Sequence, residues 1–199
     1  MTNPAEFAAS YCADVQKSIR AIDVNAVAQV IQILDRVLTD GRIVFIAGNG
    51  GSASTASHMA SDLSKTILGH PVDPRKTGFR ALSLTDNIPL FTAWANDEGY
   101  AELFAGQLRS IAHADDVLIV ISVSGNSANL IRAAEQAKKI GMTVIGFLGH
   151  SGGRLASLVD ASIIVPGSDY GPIEDSHLIL DHLITGYFKR KLLGDPPTK

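Results

Sequence analysis

Two serine- and glycine-rich segments contain the residues best suited to hold an anion. The first spans 48–52 and follows the apolar run 43–47, and the second spans 122–127 and follows the apolar run 117–121. Glycines let the backbone approach a ligand closely, while hydroxyls, backbone N–H groups and a following helix start favour negative charge. A serine-capped turn would explain the first segment alone, but the three serines of the second exceed what one cap requires. Together the segments predict a site for a phosphorylated ligand.

Acidic and imidazole side chains on two predicted helices are candidates for a metal site. His58 and Asp62 are spaced i, i+4 after the first segment, so they share one helix face. Four further candidates lie on the last predicted helix: Glu174, His177, Asp181 and His182. Zinc accepts this type of nitrogen and oxygen donor. Glu174 and His182 are separated by a helical rise of ~12 Å, so both must reach inward or the ligands must come from two subunits.

Alternating strand and helix signals predict the elements that position these residues. Strands are predicted at 42–47, 80–84, 116–121, 142–148 and 161–165. Helices are predicted at 5–20, 24–39, 52–65, 87–95, 100–111, 127–140, 151–157 and 172–193, with a surface loop at 66–79. The alternation predicts a doubly wound parallel sheet whose strand ends carry both anion-binding segments. We expect one domain over 1–199, with a helical extension at 1–40 and a flexible tail at 194–199.

Composition and spacing argue against several classes of function. The chain has 199 residues, a net charge of -3 and no stripe of lysine and arginine, so we expect no nucleic-acid partner. No apolar run reaches bilayer length, so we expect no membrane partner. The single cysteine and the absence of a signal peptide predict a cytoplasmic location. Ala53 interrupts a dinucleotide-binding fingerprint, and no Gly-Lys-Ser/Thr sequence completes a P-loop.

The order and spacing of these motifs resemble the phosphoheptose isomerases, a family of sugar isomerase (SIS) domains, over nearly the whole chain. The resemblance is carried by segments 48–52, 57–63, 96–100, 122–127 and 173–177. It implies a flavodoxin-like three-layer α/β sandwich with a five-stranded parallel sheet and two leading N-terminal helices. It also implies a homotetramer with active sites between subunits, in which the extension at 1–40 packs.

The resemblance further implies roles for individual residues. The phosphate would bind four serines: Ser52, Ser122, Ser124 and Ser127. The rest of the substrate would bind the first segment and two aspartates: Asn49, Gly50, Gly51, Asp97 and Asp169. Zinc would bind His58, Asp62, Glu174 and His182. The family usually has Glu at position 62 and Gln at position 174, so this chain departs from the pattern at two of these ligands.

The implied activity is conversion of sedoheptulose 7-phosphate to D-glycero-D-manno-heptose 7-phosphate through an enediol. Asp62 or Glu174 would move the carbon-bound proton, and His182 would be the partner. Zinc would stabilise the developing oxyanion. Two alternatives remain at this point. The chain could isomerise a different phosphosugar, or it could be a non-catalytic phosphosugar-binding or adaptor protein, like the relative that binds a replication initiator.

Overall fold

The computed structural model describes residues 3–194 and contains a five-stranded sheet. Its strands are β1 (Ile43–Gly48), β2 (Arg80–Ser83), β3 (Val117–Ser122), β4 (Thr143–Gly149) and β5 (Ala161–Val165). The order is β2-β1-β3-β4-β5, and all neighbouring pairs are parallel. The three central strands are apolar and buried along nearly their whole length, as strands covered on both faces must be.

Helices cover both faces of this sheet. They are α1 (Pro4–Arg20), α2 (Val24–Asp40), α3 (Gly51–Ser64), α4 (Ile88–Asp97), α5 (Leu103–Ile111), α6 (Ala128–Ile140) and α7 (Tyr170–Leu193). One hydrophobic cluster joins the sheet to α2, α3 and α7, and a second joins it to α5 and α6. The predicted three-layer α/β sandwich with a parallel sheet is confirmed.

Some boundaries differ from the sequence-based prediction. The helix predicted at 151–157 is only a short 3-10 helix, Arg154–Ser157, because Gly152 and Gly153 have φ values of 87° and 55° that an α-helix does not adopt. The predicted loop at 66–79 contains another 3-10 helix, Thr66–Leu68, which buries Ile67. Apart from Gly194, the predicted flexible tail lies outside the described residues.

The two leading helices differ in how far they enter the core. α2 buries five apolar side chains: Val27, Val30, Ile33, Leu34 and Val37. α1 lies against α7, where the hydroxyl of Tyr11 donates to Oδ2 of Asp175 at 2.6 Å, and within residues 3–194 its one buried member is Ser18. Packing of segment 1–40 between subunits stays a prediction.

In the described part of the chain, no helix combines the length and apolar character needed to cross a bilayer.

Candidate active site

Both predicted anion-binding loops lie at one edge of the sheet. The first follows β1 and the second follows β3, and Gly48 pairs with Ile121 at the carboxyl ends of these neighbouring strands. From β1 the chain continues through α3 to β2, and from β3 it continues through α6 to β4, in opposite directions across the sheet. Doubly wound sheets open their ligand crevice at such a switch point.

A small pocket between the loops brings together the four serines predicted to hold phosphate. We call it the serine pocket, and its polar lining comprises Asn49, Ser52, Ser122, Ser124, Ser127, Tyr170 and Glu174. The Oγ of Ser122 accepts the N–H of Gly125 at 3.1 Å. The Oγ of Ser124 accepts the N–H of Asn126 at 3.2 Å. Both hydroxyl protons therefore stay available for donation to an anion.

Two helices begin at the serine pocket. α3 starts directly after Gly50, whose φ of 55° favours glycine. α6 starts directly after Ser127, whose side chain makes no capping hydrogen bond within residues 3–194. The partial positive charge and free N–H groups of both helix starts favour a bound anion. The pocket is therefore suited to a phosphate group.

A reciprocal pair of amides ties the first loop to α6. Nδ2 of Asn49 donates to Oδ1 of Asn129 at 2.9 Å, and Nδ2 of Asn129 donates back to Oδ1 of Asn49 at 2.8 Å. The hydroxyl of Tyr100 donates to the same Asn49 oxygen at 2.9 Å. Asn49 thus keeps one N–H for a ligand, and segment 96–100 is anchored beside the serine pocket.

Two histidines and two aspartates meet where α3 packs against α7. We call them the His/Asp cluster: His58, Asp62, Asp181 and His182. Nε2 of His58 lies 3.1 Å from Nε2 of His182 and 3.6 Å from Oδ2 of Asp62. One ligand atom from each of the four residues lies within 4.8 Å of the other three. Both histidines are exposed, so a substrate can reach the cluster from solvent.

Asp181 is the cluster member that the predicted ligand set omitted. Its side chain is fully buried, and Oδ1 accepts the hydroxyl of Thr185 at 3.3 Å. Oδ2 lies 4.0 Å from Nε2 of His58 and has no hydrogen-bond partner in the described part of the chain. Burial, followed by the negative charge of Asp62, raises the pKa of Asp181 to about 7. Asp181 was among the candidates on the last predicted helix, but nothing in the sequence indicated that it would be buried.

Glu174 lies at the first loop and not in the His/Asp cluster. A Cβ added to Gly51 would be 2.5 Å from Oε2 of Glu174, so the carboxylate packs against the backbone where α3 begins. The positive end of α3 favours a negative charge at this position. The metal-binding and catalytic roles predicted for Glu174 stay predictions.

Two predicted sugar-binding aspartates lie outside the lining of the serine pocket. Oδ1 of Asp169 accepts the N–H of Tyr170 at 2.7 Å and caps α7. Oδ1 of Asp97 accepts Nδ2 of Asn96 at 2.7 Å at the end of α4. Their roles in sugar binding also stay predictions.

Comparison with known proteins relates this site to a family. The family model described as SIS domain matches residues 9–149. A phosphoheptose isomerase of Helicobacter pylori (strain P12) is 37% identical over 176 residues, which cover 88% of each chain. Another, from Leptospira biflexa, is 38% identical over 162 residues, which cover 81% of each chain. The chain belongs to the phosphoheptose isomerase family of SIS domains.

Solved structures of phosphoheptose isomerases have the same fold. That of Neisseria gonorrhoeae matches with a TM-score of 0.85 and 29% identity, covering 94% of this chain and 98% of the other. That of Francisella tularensis matches with a TM-score of 0.85 and 28% identity, covering 96% of this chain and 100% of the other. The resemblance inferred from the sequence motifs is confirmed.

Proposed function

We propose that the protein is an aldose–ketose isomerase that interconverts sedoheptulose 7-phosphate and D-glycero-D-manno-heptose 7-phosphate. The observation that carries this proposal is that the serine pocket and the His/Asp cluster lie along the same helix. α3 begins at the pocket with Gly51, and His58 follows after a rise of about 10 Å. This spacing suits a substrate with phosphate at one end and a carbonyl at the other. The relatives' name supports a heptose phosphate over other phosphosugars.

The serine pocket holds the phosphate in this proposal. Its hydroxyls and the starts of α3 and α6 donate hydrogen bonds to an anion far from the reacting carbons. Binding energy gained there positions C1 and C2 at the His/Asp cluster. Loss of a single serine hydroxyl should therefore weaken substrate binding more than it slows the chemical step.

Asp62 and His182 transfer protons at the other end. Isomerisation moves a proton between C1 and C2 through an enediol, while a second group moves the hydroxyl proton. The hydroxyl of Thr66 donates to Oδ1 of Asp62 at 2.7 Å and leaves Oδ2 facing His58. Of the two carboxylates predicted for the carbon-bound proton, Asp62 is favoured because it shares the cluster with His182, whereas Glu174 faces the first loop.

The proposal includes a divalent metal ion, zinc by preference, at the His/Asp cluster. Two imidazoles and two carboxylates form a donor set that zinc accepts. Oδ2 of Asp181 is buried and has no hydrogen-bond partner among residues 3–194, so a positive charge beside it would be favourable. When bound, the ion would polarise the substrate carbonyl. His58, Asp62 and His182 are the predicted ligands that lie close enough to share it.

An isomerase assay with sedoheptulose 7-phosphate tests this function. His182→Ala should lower kcat by ~100-fold or more, the usual contribution of a positioned acid or base. Ser124→Ala should raise KM. His113→Ala is the matched control and should behave like wild type, because His113 is exposed and lies four residues before the start of β3, at the opposite edge of the sheet.

Turnover that is equal in wild type and His182→Ala would contradict the assignment. Turnover of shorter phosphosugars alone would favour a different isomerase. Binding of phosphosugars without turnover of any would favour the adaptor class. These three results are distinguished in one substrate panel that includes pentose, hexose and heptulose phosphates.

We extend the proposal to self-association as a homotetramer. Large apolar side chains stand exposed on the outer helices: Phe7 on α1, and Ile88 and Leu90 on α4. Within the described residues, α4 has no buried member although it is an apolar helix. Such surfaces are typical of contacts with another chain. Light scattering after gel filtration should give four times the mass of one chain, and a monomer mass would contradict it.

The cytoplasmic location stays a prediction.

A further inference from the structure

A second cavity lies between α1 and the segment that joins β5 to α7. Its volume of about 360 Å³ falls within the range of ~300–1,000 Å³ that is typical of small-molecule pockets. It shares no lining residue with the serine pocket. We call it the α1 cavity, and its polar lining comprises Asp14, Lys17, Ser18, Ser168 and Asp169.

The α1 cavity contains a buried hydroxyl without a partner. Ser18 is 5% exposed, and within residues 3–194 its hydroxyl makes no hydrogen bond. The helical residues Ser57 and Ser176 instead donate to the carbonyl oxygen four residues earlier, at 3.2 and 2.7 Å. A Cβ added to Gly167 would come within 3.4 Å of Oγ of Ser18, so glycine leaves the space in front of the hydroxyl open. Because buried polar groups almost always have a partner, a ligand in the cavity is the expected one.

The charged groups around the cavity are also without ionic partners. Asp14 and Lys17 are spaced i, i+3 on α1, yet none of the ion pairs in the described part of the chain includes either of them or Asp169. Two carboxylates and one ammonium leave an excess of one negative charge, which disfavours an anionic ligand. The ammonium of Lys17 disfavours a cation.

The donors and acceptors of the cavity match a ligand with several hydroxyl groups. Carboxylates only accept hydrogen bonds, the ammonium of Lys17 only donates them, and the two serine hydroxyls do both. An alcohol hydroxyl can pair with all three kinds of group. Three apolar residues complete the lining and can pack against the C–H groups of a sugar ring: Ala21, Pro166 and Pro172.

Contacts on both sides hold the walls of the cavity in place. The hydroxyl of Tyr11 donates to Oδ2 of Asp175 at 2.6 Å, and a Cβ added to Gly171 would lie 2.7 Å from the same Tyr11 oxygen. On the other side, Nδ1 of His150 lies 2.8 Å from the carbonyl oxygen of Gly167. A ligand would therefore enter a preformed site, which lowers the ordering cost of binding.

We propose that the α1 cavity is a binding site for an uncharged sugar, in which Asp14, Lys17 and Ser18 form hydrogen bonds with the sugar hydroxyls. The site is separate from the one proposed for the phosphosugar substrate. The inference goes beyond the isomerase function and does not depend on it.

Saturation-transfer NMR on the full-length protein tests the inference. The probes are D-mannose, D-glucose, D-fructose and sedoheptulose, each added with excess inorganic phosphate to occupy the serine pocket. At least one sugar should bind with a Kd on the order of 1 mM, the affinity expected of about twelve non-hydrogen atoms at low ligand efficiency.

Ser18→Val should weaken this binding about tenfold or more, because the buried hydroxyl is lost and the added methyl groups fill the space in front of it. Ser10→Val is the matched control and should keep wild-type affinity. It makes the same change at an exposed position of α1, outside the lining of the cavity.

A second pair of variants keeps the test decisive if Ser18→Val does not fold. Asp14→Ala changes an exposed side chain and should also weaken sugar binding about tenfold, whereas Gln16→Ala on the outer face of α1 should not. Both should keep the melting temperature of wild type and its mass in light scattering.

Four results would overturn the inference. They are no binding of any of the four sugars by wild type, wild-type affinity in folded Ser18→Val and Asp14→Ala, tighter binding of glucose 6-phosphate than of glucose under the same conditions, and a changed oligomeric mass in Asp14→Ala, which would assign the cavity to a contact between chains. Sugar binding that depends on Ser18 in a protein without isomerase activity would refute the proposed function and leave this site standing. Isomerase activity without sugar binding at the cavity would do the reverse.

Discussion

Substituting Gly125 by alanine adds one methyl group and tests how the loop after β3 packs against residues 152–153, which follow β4. Gly125 has a φ of +63°, and a Cβ there would lie 2.0 Å from the carbonyl oxygen of Gly152 and 2.9 Å from the amide nitrogen of Gly153. These are backbone atoms, so no rotation of a side chain can relieve the overlap. Gly125→Ala should therefore displace the loop that carries three of the four pocket serines.

Gly41 provides a control with the same backbone conformation and no overlap. Its φ is +65°, and among the described residues no atom lies within 4 Å of an added Cβ. Placing alanine at positive φ costs about 1 kcal/mol at either position. The overlap at Gly125 adds about 2 kcal/mol, the middle of the range for overpacking. We expect the free energy of unfolding to fall by about 3 kcal/mol in Gly125→Ala and about 1 kcal/mol in Gly41→Ala.

Urea unfolding measures both losses, and initial rates with sedoheptulose 7-phosphate measure the effect on the site. Gly125→Ala should also raise KM, because the displaced serines no longer converge on the phosphate. Equal losses of unfolding free energy in the two variants would refute the packing argument. An unchanged KM in folded Gly125→Ala would refute the role of the second loop in substrate binding.

Three further substitutions test other parts of the structure. Asp116→Ala should lower the free energy of unfolding by about 3 kcal/mol in urea, because the buried carboxylate accepts the N–H groups of Ile43 and His113 at 2.9 Å each. Unchanged stability would contradict this. Ser127→Ala should raise KM yet change stability by less than about 0.5 kcal/mol, since no capping bond is lost within residues 3–194; a wild-type KM would count against its contact with phosphate. Burial lowers the pKa of His177 from 6.5 to about 4, so the folded state resists protonation, and this residue by itself should lower stability by about 3 kcal/mol as the pH drops from about 6.5 to 4. Asp181, whose pKa is raised to about 7, contributes with the opposite sign in both proteins. His177→Gln should therefore become more stable relative to wild type by about 3 kcal/mol between pH 6.5 and 4, as measured by urea unfolding with a metal chelator present, and identical pH profiles would argue against it.

The sheet and its two loops could be predicted because their signals are local. The run at 117–121 is apolar throughout, the run at 142–148 is apolar except for Thr143, and each ends near small residues that let the chain turn. Both strands occur within one or two residues of the predicted bounds. The i, i+4 pair of His58 and Asp62 was equally local, and the structure places both in the His/Asp cluster.

The completion of the cluster could not be predicted because it depends on how two distant helices align. Asp181 and Glu174 lie two turns apart on α7, and only the register against α3 determines which of them faces His58. The spacing of residues along α7 does not show how that helix is aligned with α3. Burial of Asp181 likewise results from packing of α7 on α3, so its unsatisfied oxygen is visible only in three dimensions.

The reciprocal amide pair makes positions 49 and 129 interdependent in any redesign of substrate preference. Each amide supplies the donor that the other's oxygen accepts, so aspartate at either position alone would set two oxygens against each other. A shorter side chain at either position alone would leave the amide of the other residue without its hydrogen-bond partner. Libraries that randomise Asn49 without Asn129 should therefore yield mostly unstable clones, whereas paired codon changes would give access to new pocket shapes.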